Sequence, residues 1–290
     1  MGIPTVGTAP PPRARPPARR RLERRERVQA RELTANLVRR DLKVRHRGTF
    51  LGMLWSLANP LLVVGLFYLI FRFVLRQQTA PDLPRPDGND VPFAVYFFCG
   101  LILWNLFSNS AANGTNSVVG SGYLLRKVYF PRQILPLSSV LSALVEFGFE
   151  LLVLLAVIVV FVGPPDLHLL WVPPIVGVVA LLSYGVALLL SAVTVFLRDV
   201  AHFIGLLLQL GFWATPILYS LQFVADHEAV LRLLKLNPMT GPVVSFRNVV
   251  LLNHGPDLGL LAYSLGVALV VLAVGGLAFR RWERLFAEIV

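Results

Sequence analysis

Glu146 and Glu150 are the two acids inside an otherwise apolar run, residues 136–162. Spaced four apart, they fall on one face of a helix. A carboxylate is expensive among apolar side chains. Such a pair lines an aqueous path, ion-pairs across a subunit interface, or meets a basic loop residue such as Arg132. A second polar series lies upstream. Asn105, Asn109, Asn113 and Ser117 recur every four residues, flanked by Ser108 and Asn116. That stripe can hydrogen-bond a neighbouring helix, or present amides to a hydroxyl-rich substrate. The third group is a cationic collar of Arg39, Arg40, Lys43, Arg45 and Arg47, set just before the apolar run that starts at Phe50. It suits an anionic substrate, or anionic lipid headgroups at about 1 kcal/mol per cation.

Other chemistries lack their residues. The sequence contains no G-x-x-x-x-G-K-[ST] phosphate loop, no H-E-x-x-H and no G-x-S-x-G. Cys99 is the single cysteine, which rules out an intrachain disulfide and a cysteine-based metal site. The five histidines are scattered, and no loop carries paired carboxylates. The balance favours transport over catalysis, with no cofactor or metal on this chain. Asn113-Gly114-Thr115 matches a glycosylation sequon but falls at an inner membrane end, so it is discounted.

The elements that position these groups follow from hydropathy. The 290 residues are 56% hydrophobic, with mean hydropathy +0.67, too apolar for a soluble domain of this size. A bilayer core of about 30 Å needs roughly 20 helical residues. Six segments qualify: 51–75, 93–118, 136–162, 172–197, 200–220 and 259–279. The expected fold is an all-α integral membrane protein with six transmembrane helices. Residues 1–50 hold fourteen Lys/Arg and four acids, which supplies +10 of the net +11. Beside hydrocarbon-length segments, this points to a membrane surface rather than nucleic acid. With six spans, the side holding both termini carries 21 basic residues and the other side 6, so both termini are expected in the cytoplasm. No apolar h-region occurs in the first 48 residues, so no signal peptide is expected.

Residues 1–28 are rich in Pro and Arg and read as a disordered basic extension; 29–290 read as one domain. Within 29–48, Leu33, Leu37, Val38 and Leu42 fall at helical spacing, as in an amphipathic helix lying in the headgroup plane. Asn59-Pro60 interrupts the first span and can kink it. Residues 221–258 are too apolar for a solvated loop and too broken to span. They form short re-entrant helices or an amphipathic cap on the outer face. Trp55, Asn59, Asn105, Asn109, Asn113 and Trp213 are the candidate channel-lining residues, although belt or lipid-facing roles serve many aromatics equally. The loop "YLLRKVYFPRQILPLS" (123–138) would expose Tyr129 and Phe130 unless something covers them, as docking into a partner's groove would.

"RRDLKVRHRGTFLGMLWSLANPLL" (39–62) resembles the N-terminal signature of type-II ABC exporter permeases, in the polysaccharide-export branch of Wzm-like and TagG-like proteins. "LLRKVYFPRQILPLSSVLSALVEF" (124–147), "VFLRDV" (195–200) and "NPMTGPVVSFRNVVL" (237–251) resemble further blocks of that family, in order. The resemblance implies a homodimer of six-span subunits. Each is paired with a cytoplasmic ABC ATPase that holds ATP and Mg, and together they export a polyprenyl-pyrophosphate-linked glycan such as an O-antigen, capsule, teichoic acid or galactan. It places Arg126, Lys127, Val128, Tyr129, Phe130, Pro131 and Arg132 in or beside the ATPase-coupling helix, and 221–258 as outer gate helices. The long 1–28 extension departs from the short N-termini of the family. Two alternatives stay open. One is a drug-exporting relative with the same fold. The other is a membrane enzyme acting on polyprenyl phosphates, for which Asp41, Asp199 and Glu283 are the acids near the inner face.

Overall fold

The computed structural model describes residues 32–42, 55–74, 91–123, 130–164 and 166–286, with side chains from residue 58 in the second of these and up to residue 73. Lys43, Arg45, Arg47, the side chain of Trp55, and Arg126 to Tyr129 lie outside the described residues. All elements among the described residues are helices. In chain order they are α1 (32–42), α2 (Trp55–Leu69), α3 (Phe93–Asn116), α4 (Ile134–Phe161), α5 (Val172–Phe196), α6 (Val200–Trp213), α7 (Glu228–Leu236), α8 (Thr240–Leu251) and α9 (Leu258–Trp282). A π-helical turn, Ile70–Val74, extends α2.

Four helices are long and apolar enough to cross a bilayer: α3, α4, α5 with its 3-10 lead-in from Leu167, and α9. Two shorter apolar helices, Ala58–Phe73 and Val200–Trp213, accompany them. The first runs through Pro60, which is buried inside α2. The second departs from the expected 200–220 span. It stops at Trp213, because Pro216 cannot continue a helix and its neighbours turn back toward the bundle. Capping is local where it can be seen. Asp257 accepts the Leu260 amide at 3.0 Å to open α9, and Pro173-Pro174 occupy the first turn of α5.

The membrane supplies no hydrophobic force between helices, so close approach depends on small residues. Gly185 of α5 and Gly275 of α9 face each other: a side chain added at Gly275 would strike the Gly185 carbonyl. Gly114 of α3 touches Ala187 of α5 in the same way. The most buried of the four long helices is α3, which packs on α4, α5, α6 and α8. Exposed apolar faces line α2 (Leu61, Leu62, Leu66), α6 (Phe203, Leu206, Leu210) and α9 (Leu269, Val270, Leu277).

At one end of the bundle Leu37 of α1 joins Val118, Ile134, Leu188, Phe279 and Phe286 in a buried cluster. The N-terminal helix and the chain after α9 therefore sit at the same end. The apolar edge of α1, Leu33 and Leu37, rests on protein rather than on lipid alone. Phe130 is half-buried against the same cluster, so its own chain covers part of its ring.

Candidate functional site: a polar seam and its cavity

Helices α3 and α4 run antiparallel, and their polar residues meet. Asn105 Nδ2 donates to Glu150 Oε1 at 2.9 Å, and Asn109 Nδ2 to Glu146 Oε2 at 3.5 Å. Each step of four residues up α3 is matched by four down α4. The next members of the two series are Asn113 and Ser117 on α3, and Ser142 and Ser138 on α4. Three steps of four residues at 1.5 Å per residue make the seam about 18 Å long. The half toward the middle of the bundle is closed by the amide–carboxylate pairs. The half near α1 opens into a cavity of about 390 Å³.

Glu146 and Asn113 line this cavity, with Ser138, Ser139 and Ser142 on the α4 side. Asn116, Ser117 and Ser121 line the end of α3 and the turn after it. From α1, Arg40 and Asp41 also line the cavity. They bond each other, Arg40 Nη2 to Asp41 Oδ1 at 3.2 Å, and both remain partly exposed. Two of the serine hydroxyls are tied to their own helix: Ser138 Oγ donates to the Leu135 carbonyl and Ser142 Oγ to the Ser138 carbonyl, each at 2.8 Å. Their oxygens can still accept.

The sequence candidates thus separate into groups. Arg40, Asn113 and Glu146 share one cavity. Asn105, Asn109 and Glu150 form its closed extension. Glu146 and Glu150 meet α3 amides. Arg132 is half-buried, and its Nη1 finds no hydrogen-bond partner among the described residues. Arg39 is exposed on α1, Pro131 is exposed after the loop, and Asn59 and Trp213 are exposed on α2 and α6. The signal for the seam was present in the sequence: Ser138, Ser142, Glu146 and Glu150 also recur every four residues, complementary to the asparagine stripe.

A second polar centre lies at the other end of the bundle, and only packing reveals it. Arg247 of α8 is 4% exposed. It donates to the Tyr96 carbonyl, the Tyr96 hydroxyl at 2.8 Å, and the carbonyls of Pro216 and Ile217, and it stacks on the Tyr96 ring at 3.6 Å. Those two carbonyls belong to the irregular turn after α6, where the helix no longer satisfies its own backbone. Gly100 leaves the space the guanidinium fills. Asn237 binds the same turn, donating to the Ala214 carbonyl at 3.0 Å and to Thr215 Oγ1 at 2.9 Å. The 221–258 segment therefore has two characters. Helix α8 is buried against protein, whereas α7 is an amphipathic cap with Leu233 and Leu236 outward and Leu234 inward.

Comparison with known proteins identifies the fold's family. The profile of the ABC-2 type transporter family matches residues 32–251. This chain belongs to the ABC-2 type transporter family. It is 34% identical over 258 residues to the O-antigen export system permease protein RfbA of Myxococcus xanthus, covering 89% of this chain and 95% of that one. It is 30% identical over 263 residues to a protein of the same name from Klebsiella pneumoniae, again covering 89% and 95%. The resemblance carried by residues 39–62, 124–147, 195–200 and 237–251 is borne out, and the chain is a multi-pass membrane protein of the permease type.

Proposed function

We propose that this chain is the permease subunit of an ATP-driven exporter of a polyprenyl-linked polysaccharide. The observation that carries the reading is the end-to-end likeness to O-antigen export permeases, over 89% of this chain. Six spans, 51–75 through 259–279, are completed by counting α2 and α6 with the four long helices. The placement of α1 and Phe286 in one cluster, together with the surplus of basic residues on that side, supports a cytoplasmic location for both termini. Two copies pair, and the exposed apolar faces of α2 and α6 are the surfaces available for that pairing and for lipid. A cytoplasmic ABC ATPase dimer binds ATP and Mg and drives the cycle through residues 126–132. The cationic collar guides the pyrophosphate of the carrier lipid to the inner end of the seam.

The test is genetic and biochemical. Deleting the gene should cause a lipid-linked glycan to accumulate inside the cell, and the wild-type chain should restore it to the surface. Export persisting in the deletion strain would sink the proposal. Arg45→Gln with Arg47→Gln should lower export severalfold at unchanged protein level; unchanged export would leave the collar as a lipid anchor. Arg126→Glu with Lys127→Glu should abolish co-purification with the ATPase while thermal stability is retained. Phe130 is unsuited to this test, because its ring packs on the cluster around Leu37.

A further inference from the structure

The irregular turn after α6 is fastened by side chains from two other elements. Asn237 donates to the Ala214 carbonyl, Arg247 to those of Pro216 and Ile217, and the Tyr96 hydroxyl to that of Tyr219 at 3.0 Å. Tyr96 stands in the first turn of α3. Its hydroxyl and its carbonyl also accept from Arg247, whose guanidinium lies on its ring. The tie between α3 and the turn therefore runs through one tyrosine and one arginine. Each hydrogen-bond partner of the guanidinium is a neutral oxygen, so the fold buries a cation that none of them neutralises. A helix continued past Trp213 would satisfy the same carbonyls within itself, with no buried charge. What the break and the arginine add is a link between segments. Helix α3 has 24 residues, about 36 Å at 1.5 Å per residue. Beyond its far end the chain passes through the 3-10 turn Val119–Ser121 toward residues 126–132.

We propose that Tyr96 and Arg247 are positioning residues that fasten the 214–220 turn to α3, so that a displacement of α3 at its 126–132 end is delivered to the opposite end of the bundle. The inference rests on the export reading above, in which a partner ATPase acts on residues 126–132, and it names the route through this chain. Neither residue touches the glycan. A helix is stiff along its axis, and a hydrogen-bonded knot at its end passes the displacement on to whatever the knot holds. Here it holds the turn through the Pro216, Ile217 and Tyr219 carbonyls, and α8 through Arg247 itself. The tyrosine hydroxyl is the critical atom, because it accepts from Arg247 at 2.8 Å and donates to the turn at 3.0 Å. Without it, α3 keeps only the stacking of the Tyr96 ring and the 3.3 Å bond from Arg247 to the Tyr96 carbonyl.

Two variants loosen the same turn from different sides. Tyr96→Phe removes the hydroxyl and keeps the ring. Asn237→Ala removes the bonds to Ala214 and Thr215 and leaves α3 untouched. Inverted membrane vesicles from the deletion strain, carrying each full chain with its ATPase, report both the glycan moved into the lumen and the ATP hydrolysed. In Tyr96→Phe the hydrolysis rate should match wild type while glycan moved per ATP falls severalfold. In Asn237→Ala the melting temperature should fall at least as far as in Tyr96→Phe, with glycan per ATP unchanged. A merely structural role would lower hydrolysis and export together, in step with folded protein. The proposal is overturned if Tyr96→Phe keeps the wild-type ratio, if its hydrolysis falls with its export, or if Asn237→Ala lowers the ratio equally. If wild-type vesicles move glycan and Tyr96→Phe matches them, the permease assignment stands and the link falls. Wild-type vesicles that move none overturn the permease reading, and the link with it.

Discussion

Gly100→Ala tests the clamp at the end of the bundle opposite α1. A Cβ added at Gly100 would lie 2.6 Å from Arg247 Nη2 and 3.3 Å from its Cζ. The guanidinium has no room to retreat, because Nε and Nη1 are held by Tyr96 and Pro216 and Nη2 itself by the Ile217 carbonyl. Moving it breaks one or two charge-assisted hydrogen bonds, at about 1.5–3 kcal/mol each. Replacing glycine by alanine within a helix returns about 0.5–1 kcal/mol. With one bond broken, the net loss is about 0.5–2.5 kcal/mol. At about 2–4 °C per kcal/mol for domains of 150–250 residues, the melting temperature should fall by about 1–10 °C. The assay is thermal unfolding of the detergent-purified protein followed by size-exclusion fluorescence. Gly148→Ala is the control, since a Cβ there meets nothing within 4 Å. Arg247→Met should cost more than Gly100→Ala, because it leaves the Pro216, Ile217 and Tyr96 oxygens unsatisfied. The double variant should melt at or slightly above Arg247→Met alone, because alanine at 100 does harm only by displacing the guanidinium and otherwise favours the helix. Unchanged melting of Gly100→Ala, or simple additivity in the double variant, refutes the argument.

Further outcomes follow from the packing. Gly275→Ala should reduce the folded yield severalfold, while Gly276→Ala next to it leaves the yield unchanged. The first Cβ strikes the Gly185 carbonyl across the α5–α9 crossing, and the second meets nothing within 4 Å; equal yields would show that the crossing adjusts. Asn105→Leu removes the amide that bonds Glu150 and should cost about 1–3 kcal/mol, read as a lowered melting temperature. Glu150→Gln keeps a partner for Asn105 and should cost less, so a larger loss in Glu150→Gln than in Asn105→Leu would contradict the pairing.

Much of the architecture was legible because hydropathy and length act within one segment. The apolar runs 93–118, 136–162, 172–197 and 259–279 appear as α3, α4, α5 and α9 within a few residues. The Asn stripe was visible as a face, since four-residue spacing defines a face without any knowledge of neighbours. The end of α6 was less legible. Residues 214–220 are apolar enough to continue a span, and what stops the helix is Pro216 together with side chains from distant segments that bind the freed backbone. The partial cover of Phe130 was not legible, because the cluster it packs against joins Leu37 and Phe286 from opposite ends of the chain.

By itself the sequence determined that this protein is a helical membrane protein with a cationic collar and two polar stripes, and its motif blocks pointed to an exporter permease. Tertiary structure alone decided what those stripes do. Four-residue spacing says which side chains share a face; only the antiparallel register of α3 against α4 sets Asn105 on Glu150, Asn109 on Glu146, and leaves Asn113 facing an open cavity. The same holds for Arg247. In sequence it is one more cation on the outer side. In the fold it is buried where a broken helix and a glycine gap supply carbonyls and space, and neither condition exists until the distant segments have packed.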